Sequence, residues 1–330
     1  MRDLFYDRAR GIGMFLLVLG HVFPKESNVF AAIFSFHMPL FFLISGMLLN
    51  QHKERGLKDI FSKTSISYSF FLIVGLCLLF IRILIGDFTL YRGGRNFIVE
   101  CIYNIGPDAG MVGSIWFLPI LGISQIMALW LYKMKTKNFV KYRFYDVGVL
   151  ALLAIASMYL IAFLPGVFRI RTIFTTTLFV YAGLNWSHFI KKRIDAVHHK
   201  RLCLFLIIPF WFYISLLNGN VNIASPVYNN YFLFVLGALS GIVMVFLLSK
   251  FDFMNFSTFW GKNSLIIFAT HGIWLYVFRK IWSYFNFAFP MPSDCFYLLV
   301  SLSIILLCIP TYYFFRPLLA VYKTKMMKLR

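Results

Sequence analysis

The chain has 330 residues, of which 60% are hydrophobic and 13% charged, and its mean hydropathy is +0.77. Soluble domains are about half apolar and about a quarter charged, so the composition excludes a soluble enzyme and predicts an all-α, polytopic membrane helical bundle. The net charge of +20 would suit nucleic acid, but its distribution along the chain excludes that partner and assigns it to membrane topology and lipid.

In chain order, apolar runs occupy 12–23, 29–49, 64–86, 114–132, 144–165, 172–189, 202–217, 230–249, 263–283 and 294–315. They predict about ten transmembrane helices within a single membrane domain, 1–330. The segments between them alternate between rich and poor in basic residues. The N-terminus, 50–63, 133–143, 190–201, 250–262 and 316–330 together hold 24 of the 32 Lys and Arg. Cytoplasmic loops carry the positive excess, so both termini are expected on the cytoplasmic side. VFPKE, after the first run, offers no small-x-small cleavage site, and that run is expected to be retained. The segment 87–113 reads as a long external connection able to cap a cavity.

Ionisable residues within spans are costly and point to a cavity or a partner. Arg10 opens the first span and His21 lies near its far end. Eleven helical residues give about 16 Å of rise and about 20° of drift, so both share one helix face. The pair reads equally as a cytoplasmic anchor with an outer-interface histidine, or as two ends of one functional face. In FHMPLFFLISG, His37 lies two residues before Pro39, whose ring crowds the carbonyl of Ser35. That predicts a kink beside a histidine that either bonds between helices or lines a wet cavity. Arg82, five residues before Asp87, is not spaced as a helical ion pair, and either snorkels outward or faces a substrate. Trp116 and Tyr103 supply aromatic faces suited to a sugar ring, and His271 lies near the middle of the ninth span. The five cysteines show no metal-ligand spacing and no metal is expected. Cys101 and Cys295 would both lie outside and can pair.

Two buried histidines above an arginine suit acyl transfer from a thioester. A neutral imidazole takes a proton from an attacking hydroxyl or accepts the acyl group for relay. A cationic mouth suits a polyanionic donor such as acyl-coenzyme A. The alternative is a proton-coupled transporter whose intramembrane histidines titrate, although no inverted repeat is visible.

RGIGMFLLVLGH, with Arg10-x10-His21, followed by FHMPLFFLISG, resembles the acyltransferase 3 family, and within it the smaller sugar O-acetyltransferases. WFLPIL from Trp116 and NSLIIFATH ending at His271 are similar to that family's later signatures. The resemblance implies a ten-helix enzyme of a bacterial cytoplasmic membrane. Such enzymes move acetyl from cytoplasmic acetyl-CoA to a hydroxyl of an envelope glycan or its lipid-linked precursor. It places Arg10, His21 and His37 at the catalytic centre, with His21 as base or acyl relay. Arg10 also falls to donor binding. Lys58 and Lys63 stand where the family commonly has an arginine pair, and Ser67 stands where a proline commonly precedes the tyrosine matched to Tyr68. Trp116, His271 and Arg82 are the candidate acceptor contacts.

Overall fold

The computed structural model describes residues 3–50, 56–87, 90–103, 115–137, 145–164, 167–285 and 293–328. The helices are α1 Leu4–Val22, α2 Asn28–Phe34, α3 His37–Asn50, α4 Leu57–Leu84, α5 Leu90–Tyr103, α6 Phe117–Lys137 and α7 Tyr145–Tyr159. They continue as α8 Ile173–Asp195, α9 Lys200–Asn218, α10 Tyr231–Leu248, α11 Thr258–Lys262, α12 Ser264–Phe285 and α13 Ser293–Lys328. Among the described residues there is no strand, only an isolated antiparallel bridge between Asn222 and Val227. Each of the ten predicted runs contains helix.

Six segments are long and apolar enough to cross a membrane: Asn28–Asn50, Leu57–Leu84, Phe117–Lys135, Lys200–Asn218, Tyr231–Leu248 and Asp294–Val321. The helices outside this set are shorter or more polar. α7 has 15 residues, α1 carries Asp7, Arg8 and Arg10, α8 carries Thr175 to Thr177, and α12 carries His271, Arg279 and Lys280. The apolar outer surface follows from the same physics. On α9, Leu202, Phe205, Leu206, Tyr213 and Leu217 are all exposed and share one helical face. A soluble surface rarely carries such a patch, whereas lipid is its natural solvent.

Two apolar clusters build the interior. One joins α3, α6, α8 and α10 around Phe42, Tyr181 and Phe246. The other joins α1, α4, α12 and α13 around Leu17, Phe70 and Ile304. α1 serves both, with Ala9 and Ile12 in the first and Met14, Leu17 and Val18 in the second. It therefore lies along the seam between them. α3 and α8 cross closely. A Cβ on Gly46 would sit 2.0 Å from the Val180 carbonyl oxygen, and one on Gly183 would sit 2.1 Å from that of Leu43. Only glycine allows backbones to approach this closely.

The kink predicted from Pro39 takes the form of a two-residue turn at Ser35 and Phe36 between α2 and α3. Phe36 is fully buried, and the Ser35 hydroxyl lies 2.9 Å from that of Ser215 and accepts from Trp211 Nε1 at 3.3 Å. Pro39 then falls in the first turn of α3, where a missing amide hydrogen costs nothing. The described part of 87–113 includes α5, despite the adjacent Gly93 and Gly94, and Phe97 packs against the α1, α4, α12 and α13 cluster.

Candidate active site

α1 presents functional groups at both of its ends. Asp3 caps it, accepting from the Phe5 amide at 3.0 Å, and also accepts from Lys191. Burial raises the Asp3 carboxyl, but the Lys191 ammonium and the Phe5 amide outweigh it and hold the group below its ordinary value. Arg10, about two turns further along the same face, lines a cavity of about 970 Å³ with Asp3, Asp7 and Lys63. Such a volume lies at the upper end of the roughly 300–1,000 Å³ typical of ligand sites. Thr64, Ser67, Ser45 and Gln125 continue its wall, and Met14, Met38, Phe41, Phe117 and Phe268 form its apolar part. The Gln125 amide donates to Ser45 Oγ at 2.5 Å.

The other end of α1 carries His21, and here three histidines converge. The His21 and His271 rings lie 5.5 Å apart between centroids, inclined by 26°. His37 meets His21 edge-on at 6.4 Å and 79°. Phe34 fills the angle, 5.6 Å from His21 and 4.6 Å from His37. His37 and His271 are buried, and His21 is half-buried.

Local backbone geometry fixes two of these rings. The α2–α3 break puts His37 at the start of α3, where its Nδ1 lies 2.9 Å from the Ile33 carbonyl. His271 Nδ1 lies 2.7 Å from the Phe268 carbonyl, one turn back on α12. A carbonyl oxygen only accepts, so Nδ1 carries the hydrogen in both rings. Nε2 of each neutral imidazole is then a proton acceptor. Arg279, also on α12, donates from Nη2 to the His21 carbonyl at 3.4 Å. Among the described residues, no group of three or more His, Cys, Asp and Glu is arranged to hold a metal ion.

The other candidates lie elsewhere. Lys58 is exposed at the start of α4 and is absent from the cavity wall, whereas Lys63 lines it. Trp116 is 7% exposed and packs edge-on against Phe117 at 6.3 Å, so it borders the cavity wall without joining it. The side chains of Tyr103 and Cys101 lie outside the described residues, and Cys295 is exposed.

Arg82 does pair with Asp87, at 3.7 Å, contrary to the spacing argument. The helix has ended by then. Gly86 takes φ +78°, its amide bonds to the Ile83 carbonyl, and the Asp87 amide bonds to that of Arg82. This is a Schellman stop, and it turns Asp87 back over the last helical turn. Asp87 also accepts from Lys280 at 2.5 Å and from the Tyr276 hydroxyl, tying α4 to α12.

Sequence reasoning passed over Phe34, Phe268 and Arg279. Forty phenylalanines bury the first two in noise, although Phe268 stands one helical turn before His271.

A helical, multi-pass bundle with a cavity lined by charged groups of both signs at one end of α1 and a histidine cluster at the other defines a membrane protein built for chemistry. The family model described as an acyltransferase domain matches residues 3–313. The chain belongs to this family, the acyltransferase 3 family of membrane acyltransferases. Comparison with curated proteins finds no match, and comparison with solved structures finds none either.

Proposed function

We propose that the protein is an O-acetyltransferase of a bacterial cytoplasmic membrane, moving acetyl from acetyl-CoA to a hydroxyl of an envelope glycan or its lipid-linked precursor. The observation that carries this reading is the meeting of His21, His37 and His271 at one end of the helix whose other end lines the cavity with Arg10. The alternation of basic and sparse loops supports ten crossings with both termini cytoplasmic, which puts the Arg10 mouth on the side where acyl-CoA is made.

In this reading Arg10 and Lys63 attract the donor's phosphates. His21 takes the proton of the acceptor hydroxyl as the oxygen attacks the thioester carbonyl. The tetrahedral intermediate collapses, the C–S bond breaks, and the proton returns to the departing thiolate. His37 and His271 pack against the His21 ring and hold it in place. In the alternative relay, the unprotonated His21 nitrogen attacks the thioester carbonyl, the C–S bond breaks and the thiolate leaves with the ring's proton; the acceptor hydroxyl then takes the acetyl group and returns its proton to the imidazole.

The test uses purified protein in lipid nanodiscs with acetyl-CoA and a crude envelope glycan fraction, following free thiol and labelled glycan together. Both should appear in parallel for the wild type. Thiol release without glycan label would leave only a thioesterase and overturn the acceptor assignment.

A further inference from the structure

The cavity and the histidine cluster share one side chain, Phe268. Its ring lines the cavity and lies nearly parallel to the His271 ring, with centroids 5.9 Å apart and planes inclined by 21°. Its own carbonyl holds His271 Nδ1. The ring is wedged between Phe117 and Phe71, each at 5.3 Å, and Phe117 meets Phe41 at 6.4 Å. None of the three histidines contributes to the cavity wall. One layer of aromatic rings therefore separates the cavity from the histidine cluster, and Phe268 is the member of that layer that touches both.

The polarity of the cavity orients any thioester donor within it. The charged part of the wall, where Arg10 and Lys63 stand with Asp3 and Asp7, is the part able to hold the phosphates through its two cations, which leaves the acyl group against Met14, Met38 and Phe268. We infer that Phe268 is the specificity-determining residue for acyl length: its ring closes the acyl end of the cavity and restricts the donor to a short chain. A chain longer than acetyl would have to displace this ring, which is packed against His271, Phe117 and Phe71. This inference rests on the donor reading of the cavity. Close packing makes the argument quantitative, because an interior at crystal density has no room for extra methylenes without displacing a neighbour.

The experiment compares binding of acetyl-CoA and octanoyl-CoA to purified full-length protein in nanodiscs, by calorimetry. The proteins are the wild type, Phe268→Ala and Phe268→Leu, each checked for folding by thermal unfolding. The wild type should favour acetyl-CoA, and Phe268→Ala should move the ratio of the two affinities toward octanoyl-CoA by about tenfold or more, the scale of a few methylenes in an apolar pocket. Phe268→Leu, which keeps apolar bulk, should move it the same way by less, and it gives the reading if the alanine variant does not fold. Wild-type binding with an unchanged ratio in a folded variant would overturn the assignment of Phe268 alone. Failure of the wild type to bind either acyl-CoA would overturn the donor reading and this inference with it.

Discussion

His21 and His271, 250 residues apart in the chain, lie nearly face to face with ring centroids 5.5 Å apart. The contact joins the first helix to α12, and His37 closes the group from α3. If His21 is the base, its loss removes proton transfer and leaves donor binding intact. His21→Ala should lower kcat by about 10²–10⁴-fold with an unchanged KM for acetyl-CoA. The check is steady-state kinetics on protein whose thermal unfolding matches the wild type.

The two supporting rings are fixed through Nδ1, so their replacements should separate geometry from chemistry. His37→Gln and His271→Gln keep a polar side chain but remove the imidazole. Each should lower kcat by less than His21→Ala does, and the double variant by less than the product of the two, because both act on one ring. A double-variant cycle on kcat reads this directly.

Arg10 and Lys63 line the cavity, and Lys58 does not. Arg10→Gln should raise the KM for acetyl-CoA about tenfold and weaken its dependence on salt, since screening acts on the lost attraction. Lys58→Gln should leave both unchanged. Initial rates across a range of ionic strength decide the matter.

The α3–α8 crossing is a stability prediction. Gly46→Ala or Gly183→Ala drives a Cβ against a backbone carbonyl that cannot rotate away. Each should cost about 1–3 kcal/mol, read as a lower unfolding temperature, and activity should fall with it because α3 carries His37.

Asp87 supplies the pH dependence. Burial raises its carboxyl, but the bonds from Lys280 and Tyr276 and the nearby Arg82 charge prevail and hold it below the ordinary value of 3.8. A depressed carboxylate stabilises the folded state fully above its ordinary value and loses that contribution as pH falls through the folded one. Asp87→Asn should therefore unfold at a lower temperature than the wild type at pH 7. The gap should close only below about pH 3.8, as unfolding curves across pH would record.

Local geometry was legible in the sequence, and long-range meeting was not. Arg10 and His21 could be placed on one face because helical rise and twist depend on nothing beyond the helix. The approach of His271 depends on how α12 packs against α1, and no spacing within either segment encodes it. Pro39 signalled trouble near His37, but the break belongs to Ser35 and Phe36, whose partners Trp211 and Ser215 come from α9. Asp87 reached Arg82 because Gly86 ended the helix, a turn that pair spacing alone does not reveal. Phe268 could not be distinguished among so many phenylalanines until the cavity it closes was visible.

The central claim is that His21 passes acetyl from a donor bound at the Arg10 end of α1 to an acceptor hydroxyl. The most direct measurement supplies radiolabelled acetyl-CoA to sealed proteoliposomes on the face carrying Arg10, with envelope glycan on the opposite face, and counts label in the glycan. Wild-type protein should transfer label, and folded His21→Ala protein should give only background. Transfer by His21→Ala at the wild-type rate would contradict the account.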